Sequence, residues 1–288
     1  MKMPFFIAEV SSNHNRDLQR CYRFIDTAAK IGCDAVKFQL FKIDKLFAPE
    51  IIEQREDIQK RKEWELPVSF LPNLAEKCKK CNIKFGCTPF YLNAVWELEP
   101  YVDFFKIASY EILWKDLLKA CATTGKPVIL STGMANLREV EDAVDILKRS
   151  GCSRTILLHC TSVYPTPPQQ CNLAAIQNLR DIFQCDVGWS DHSVSPAVIF
   201  RAVHHFGASV VEFHLDLEGE GEEYNIGHCW LPEAINEVIQ TISIGLLADG
   251  SGEKKPEVHE MNEREWRADP SDGLRPLLAT RELFRRVL

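Results

Sequence analysis

Eight short apolar runs alternate with longer amphipathic segments along the 288-residue chain, and this alternation constrains the fold more than any other feature. Each run has the Val, Ile and Phe content of a parallel strand that is buried on both faces. Between the runs, apolar residues recur every three or four positions, which predicts crossover helices. The runs are residues 5–11, 34–40, 83–88, 103–109, 127–132, 155–161, 186–191 and 209–215.

Eight strand and helix units close most economically into a barrel, so the sequence predicts an α/β fold, a single-domain TIM (β/α)8 barrel over residues 1–250. A doubly wound open sheet is the alternative, but the first turn, EVSSNHN, lacks the glycines that such a fold usually has there. Residues 251–288 form a polar, turn-rich tail that we expect to pack on or near the barrel.

Composition excludes several functional classes. A net charge of −7 argues against binding to nucleic acid. No apolar run approaches the roughly 18 to 20 residues of a membrane span, and the N-terminus has no cleavage-site pattern, so we expect a cytoplasmic protein without a membrane partner. The eleven cysteines are odd in number and lie mostly in apolar segments, which indicates reduced structural thiols, including the Cys78 and Cys81 pair.

Charged residues interrupt four of the predicted strands. Glu9, Lys37, Lys106 and Glu212 each lie between apolar neighbours. Because alternate strand residues share a face, these side chains should point into the barrel, and His214 should share the face of Glu212. An isolated buried charge costs several kcal/mol unless it is paired or solvated. The pattern therefore predicts one polar cavity at the C-terminal ends of the strands.

The cavity should contain two kinds of chemistry. The two lysines, together with hydroxyl groups at the strand ends, favour a small polyanion such as a phosphorylated carboxylate. His192 and His214 end neighbouring strands beside Asp191 and Glu212, which favours a divalent transition metal with open coordination positions. His159 is a further candidate ligand. The hydroxyl groups belong to Thr88, Ser109, Ser131 and Ser190.

At these residues the chain resembles the sialic acid synthase family, the phosphoenolpyruvate-dependent synthases of N-acetylneuraminate and related nine-carbon acids. Eight ordered motifs carry the resemblance over about residues 7–216, each at a predicted strand end. They are AEVSSNH, GCDAVKFQ, FGCTPF, FFKIASYEI, GKPVILSTGM, LLHCTSVYPTPP, VGWSDHS and GASVVEFH.

The resemblance implies a role for each matching position. Glu9 would be the acid near the amino sugar, Glu212 the acid before the second metal ligand, and His192 and His214 the ligands of manganese, with Mg²⁺ or Co²⁺ as alternatives. Phosphoenolpyruvate would be bound by Lys37, Thr88, Lys106, Ser109, Ser131 and Ser190. C3 of phosphoenolpyruvate would add to the aldehyde carbon of the sugar, and water would add at C2 before phosphate leaves.

The chain departs from the family on the sugar side. The family usually has an acid directly before the histidine that matches His228, but this chain has Gly227 there, so Glu222 or Glu223 would replace it, with Asp191 nearby. Members usually also carry a C-terminal antifreeze-like domain, for which the chain is too short. An arginine of the tail (Arg267, Arg275 or Arg281) could substitute. The family tends to dimerise, so a homodimer is one possible assembly, although the missing domain removes one reason for it.

Three functions remain open: two kinds of synthase, which differ in the acceptor sugar, and one non-catalytic binding protein. The leading prediction is an aldose or N-acylated amino sugar that yields a 2-keto-3-deoxy sugar acid. A synthase that uses a phosphorylated aldose is the alternative, although the acidic segment EGEGEE argues against it. A non-catalytic sugar-binding barrel should have lost some of the lysines and histidines, yet all are present.

Overall fold

The computed structural model describes residues 2–285. It contains eight parallel strands in sequential order, and the first strand pairs with the eighth, so the sheet closes into a barrel as predicted. A short ninth strand adds to the eighth. The strands are β1 Phe5–Glu9, β2 Ala35–Leu40, β3 Lys84–Pro89, β4 Phe104–Ile107, β5 Val128–Ser131, β6 Thr155–His159, β7 Asp186–Asp191, β8 Val210–Leu215 and β9 Cys229–Trp230.

Helices follow the strands and complete the TIM barrel. Those of the barrel are α1 Leu18–Lys30, α2 Ile43–Leu46, α3 Pro49–Gln54, α4 Glu56–Lys60, α5 Leu71–Lys80, α6 Leu92–Leu98, α7 Lys115–Thr123, α8 Leu137–Arg149, α9 Ala175–Phe183, α10 Pro196–Phe200, α11 Glu222–Ile226 and α12 Pro232–Ala248. The insertion after β2 folds into α2 to α4. No helix within residues 2–285 has both the length and the apolar character that a bilayer crossing needs.

The chain divides into two compact units, residues 1–246 and 247–288. The first is the barrel. The second contains helix α13, Leu278–Arg285, and a turn in which Asp269 accepts hydrogen bonds from the Ser271 hydroxyl and the Leu278 backbone amide. The last three positions of the predicted tail lie outside the described residues.

Two apolar layers hold the barrel together. The outer layer lies between strands and helices, where Phe38, Phe105 and Phe213 are fully buried. The inner layer closes the N-terminal end of the barrel with side chains from six strands, and Phe5 packs against it. Its buried members are Ile7, Ala35, Phe104, Ile129, Ile156, Leu158 and Val210. Because strand side chains alternate, the residues two positions later on the same strands share this inward phase.

Glycine at position 86 is required by this inner layer. A Cβ atom at Gly86 would lie 2.2 Å from the ring of Phe104, which is closer than two carbon atoms can approach. The absent side chain leaves room for Phe104 inside the barrel. The apolar layer therefore closes one end of the interior, and the polar cavity begins directly above it.

Candidate active site

Above the apolar layer, each strand with a predicted site residue directs a polar side chain into the barrel. The buried set is Glu9, Lys37, Thr88, Lys106, Ser109, Ser131, Ser190, His192 and Glu212. Strand register fixes their neighbours, because Glu9 lies opposite Lys37 on β2 and opposite His214 on β8. Ser190 lies opposite Glu212 in the same way. The barrel therefore brings both predicted lysines and both predicted imidazoles to one end.

An ion-pair network connects the lysines. Lys37 contacts the carboxylate of Glu9 and lies 3.2 Å from the Thr88 hydroxyl oxygen. Glu212 lies between the two lysines, with 3.7 Å from its Oε2 to Lys37 Nζ and 3.5 Å from its Oε1 to Lys106 Nζ. The Ser190 hydroxyl donates to Glu212 Oε1 at 3.0 Å. The pairing explains how these charges remain in a buried cavity.

The pKa values of this network follow from burial and charge. Burial lowers the pKa of Lys37 to about 8, against an opposing effect of Glu212. Burial raises the pKa of Glu212, but Lys106 and Lys37 outweigh it and hold that pKa below its usual value. Glu212 is therefore a carboxylate at neutral pH and accepts protons rather than donating them. Burial also raises the pKa of Glu111, next to this network, to about 7.

Hydroxyl groups at the ends of β4 to β6 form a compact cradle. The Ser109 hydroxyl accepts from the Gly133 amide at 3.0 Å and lies 3.3 Å from Cys160 Sγ. A Cβ atom on Gly133 would lie 2.3 Å from the Ser162 hydroxyl oxygen. The hydroxyl oxygens of Ser131 and Ser162 are buried and have no hydrogen-bond partner within residues 2–285. We call Lys37, Lys106, Thr88 and the hydroxyl groups of Ser109, Ser131 and Ser162 the anion side of the cavity.

Three imidazoles and one tyrosine form the opposite side, which we call the imidazole side. The ring centroids are 5.6 Å apart for His192 and His214, and 4.8 Å apart for His214 and His228. The ring of Tyr164 lies 4.2 Å from that of His192 and 4.9 Å from that of His228. Burial lowers the pKa of His192 to about 3, and it also lowers the pKa of His214. Both imidazoles are therefore neutral at pH 7, the form that binds metals.

A group of four side chains around His214 fits a divalent metal, and this group does not include the other predicted ligand, His192. His214, Glu223, His228 and Cys229 each offer a ligand atom, and these atoms lie within 4.8 Å of one another. His192 and His214 have their Nδ1 atoms in hydrogen bonds, 2.9 Å from the Thr161 carbonyl and 3.0 Å from Glu223 Oε2. Their Nε2 atoms therefore remain available as ligands. Burial raises the pKa of the Cys229 thiol, which disfavours the thiolate.

Two predicted sugar contacts need correction. Asp191 is fully buried, and its oxygens accept from the indole nitrogens of Trp189 and Trp230 at 2.9 Å. It also accepts from the Ser193 hydroxyl, so it belongs to the scaffold behind β7. Glu222 is exposed to solvent. Alternation explains the first correction, since Ser190 points inward and its neighbour must point outward.

The remaining sugar-side candidates do lie at the cavity. The Glu223 side chain is 16% exposed, and its Oε2 lies 3.5 Å from His228 Nε2. The Nδ1 atom of His228 is buried and has no hydrogen-bond partner in the described part of the chain. His159 lies outside the cavity, where its Nε2 is 2.9 Å from the Cys171 carbonyl and its ring contacts Trp189. It is therefore a structural residue.

Sequence reasoning missed three members of the site. Tyr164 covers the imidazoles, Ser162 adds a free hydroxyl to the cradle, and Cys229 lies in the group of potential ligands. Ser162 and Tyr164 lie in the loop after β6, and Cys229 lies in the two-residue strand β9, so none of them belongs to a strand long enough for a periodic pattern to assign a direction to its side chain. Ser162 and Tyr164 lie within the motif LLHCTSVYPTPP, and Cys229 directly follows His228, so position along the chain was the only available signal.

Known proteins resemble this barrel in sequence and in structure. The model of the NeuB family matches residues 24–254. An N,N'-diacetyllegionaminic acid synthase from Campylobacter jejuni is 40% identical over 231 residues, which are 76% of this chain and 69% of that protein. The solved structure of an N-acetylneuraminic acid synthetase from Leptospira borgpetersenii, in complex with citrate, is similar with a TM-score of 0.80 and 33% sequence identity. The match covers 91% of this chain and 90% of that protein.

The chain belongs to the NeuB family.

Further NeuB relatives carry names from the same group of activities. A Legionella pneumophila N,N'-diacetyllegionaminic acid synthase is 36% identical over 275 residues, which are 89% of this chain and 76% of that protein. Its family identifies this chain as an enzyme of the synthase type. The sialic acid synthase resemblance of the strand-end motifs is thereby confirmed.

Proposed function

We propose that this NeuB protein condenses phosphoenolpyruvate with an aldose or an N-acylated amino sugar, in a metal-dependent reaction, to give a 2-keto-3-deoxy sugar acid and phosphate. One observation carries the proposal. At the C-terminal end of the barrel, two buried lysines and hydroxyl groups that have no partner among residues 2–285 lie together with neutral imidazoles. This arrangement suits a small polyanion next to a polarised aldehyde.

The anion side would bind phosphoenolpyruvate. Lys37 and Lys106 supply positive charge, and the hydroxyls of Ser131 and Ser162 are free to donate. Thr88, Ser109 and Ser190 complete the set of donors around the anion. The lysines already pair with Glu9 and Glu212, so phosphate and carboxylate groups would add further charge-assisted hydrogen bonds to the same ammonium groups, and such bonds are stronger than neutral ones.

His192 and His214 would hold the metal, most simply Mn²⁺, with Mg²⁺ or Co²⁺ as alternatives, through their Nε2 atoms. When bound, such an ion supplies a Lewis acid for the aldehyde oxygen of the sugar. The imidazoles are held in place by hydrogen bonds at Nδ1, so they need little reorganisation. The ring of Tyr164 packs against that of His192, with centroids 4.2 Å apart.

The two acids would handle protons. Glu212 is ionised and lies between the lysines, so it can accept a proton from the water that adds at C2 of phosphoenolpyruvate. Glu9 accepts from Gln39 Nε2 at 3.0 Å and lies opposite His214, so it would act on the sugar. The unpartnered Nδ1 atom of His228 can accept a hydrogen bond from a sugar hydroxyl.

A phosphate-release assay tests the proposal. The full chain is incubated with phosphoenolpyruvate, with and without manganese, across plain aldoses, N-acylated amino sugars and phosphorylated aldoses. We expect manganese-dependent phosphate release with an unphosphorylated sugar. Release only with phosphorylated aldoses would contradict the proposed acceptor class, and no release with any acceptor would contradict the synthase activity itself.

A further inference from the structure

The carboxylate of Glu223 has hydrogen-bonding partners on both oxygens. Oε1 accepts from the Ser12 hydroxyl at 2.7 Å and from the Ser12 amide at 3.3 Å. Oε2 lies 3.0 Å from His214 Nδ1 and 3.5 Å from His228 Nε2. A carboxylate offers about four acceptor positions, and three hydrogen bonds from Ser12 and His214 already use most of them.

Local chain geometry brings Glu223 to this position. Helix α11 starts directly after Gly221 and ends at Gly227, whose φ of 98° is in the left-handed region that favours glycine. The turn at Gly227 directs the chain back toward the barrel, where β9 pairs with β8 and His214 lies opposite Cys229. Glu223 and His228 therefore both meet His214, although they follow it by nine and fourteen positions.

The two predicted metal ligands share one hydrogen-bonding pattern. His192 has its Nδ1 against the Thr161 carbonyl, and His214 has its Nδ1 against Glu223. A carbonyl or carboxylate acceptor requires the proton on Nδ1 and leaves the lone pair on Nε2. Metal-ligating histidines commonly donate their second N–H to such an acceptor.

We propose that Glu223 is a positioning residue that fixes His214 in the tautomer with Nε2 free for the metal, and that it acts from outside the coordination sphere. The inference rests on the proposed function, which assigns the metal to His192 and His214. Glu223 thus positions a metal ligand instead of contacting the sugar. Through Ser12 it also connects the loop after β1 to the metal ligand on β8.

Metal affinity is the direct test. Manganese alone is titrated into the full chain by calorimetry for the wild type, Glu223→Ala, Glu223→Gln and Glu220→Ala. We expect Glu223→Ala to bind manganese about 10 to 100 times more weakly, the usual effect of removing such an acceptor. Glu223→Gln should recover part of the loss, since an amide oxygen still accepts from Nδ1. Glu220→Ala, an exposed acid in the same loop, should bind as the wild type does.

A cobalt(II) absorption spectrum distinguishes positioning from direct ligation. At saturating cobalt, Glu223→Ala should keep the wild-type band shape and intensity, because its coordination sphere is unchanged. A changed spectrum in Glu223→Ala, together with a glutamine variant as weak as the alanine variant, would show a direct ligand and overturn the proposal. Equal manganese affinity in all variants would also overturn it, whereas absent binding in the wild type would instead contradict the metal-dependent function.

Discussion

The anion side and the imidazole side of the cavity obtain their polar residues in different ways. On the anion side, Lys37 and Lys106 lie within strands, and the alternation of strand side chains fixes their direction. Of the three imidazoles, only His214 lies within a strand, while Tyr164, Glu223 and His228 are brought in by loops and a short helix. The barrel therefore determines the anion side, whereas the loops determine what is next to the metal and the sugar.

Loss of His214 should have the largest effect, because this residue joins the strand-determined and the loop-determined parts of the site. We expect His214→Ala to lower kcat by about a thousandfold or more, since a Lewis acid contributes several kcal/mol to the transition state. Circular dichroism should show an intact fold. His205→Ala, at an exposed histidine, is the matched control. Unchanged turnover in His214→Ala would remove the metal role.

A substitution on the anion side should affect only one substrate. We expect Lys106→Met to raise the KM for phosphoenolpyruvate by about 10 to 100 times, because a buried charged hydrogen bond contributes about 1.5 to 3 kcal/mol. The KM for the sugar should change far less. Steady-state kinetics with each substrate varied in turn measure both values, and Lys84→Met, at an exposed lysine of β3, is the control. Equal losses for both substrates would show that the two sides are not separate.

The scaffold behind the imidazole side should affect stability. Asp191 satisfies two buried indole N–H groups, and Asp191→Ala would leave both without an acceptor. We expect the free energy of unfolding to fall by about 3 kcal/mol, measured by chemical denaturation. Asp181→Ala, at an exposed acid on α9, should change it little. A stable Asp191→Ala protein with a raised sugar KM would instead support the sugar contact that the structure argues against.

The smallest effect should be the response of metal binding to pH. An ordinary histidine, with a pKa near 6.5, binds protons in competition with metal and weakens binding as the pH falls below that value. Burial lowers the pKa of His192 to about 3, so this competition is displaced to far more acidic solution. We expect manganese affinity to fall less between pH 8 and pH 6 than the roughly tenfold loss that two ordinary histidines would give. A tenfold loss over this range would show ordinary, solvated imidazoles.

Sequence reasoning reached the barrel and the anion side because both depend on periodic patterns. Phe104 and Lys106, two positions apart, show the rule, since one closes the bottom of the barrel and the other lines the cavity. The same rule argues against Asp191, which follows an inward serine. It has no bearing on Glu223, whose position depends on a helix of five residues and on the turn at Gly227.

The central claim is that this cavity joins C3 of phosphoenolpyruvate to the aldehyde carbon of a sugar. Mass spectrometry of the products formed from phosphoenolpyruvate, manganese and pooled aldoses tests it most directly. We expect a product with the mass of the aldose plus phosphoenolpyruvate plus water minus phosphoric acid, formed only when manganese is present. Release of pyruvate and phosphate with every aldose left unchanged would contradict it.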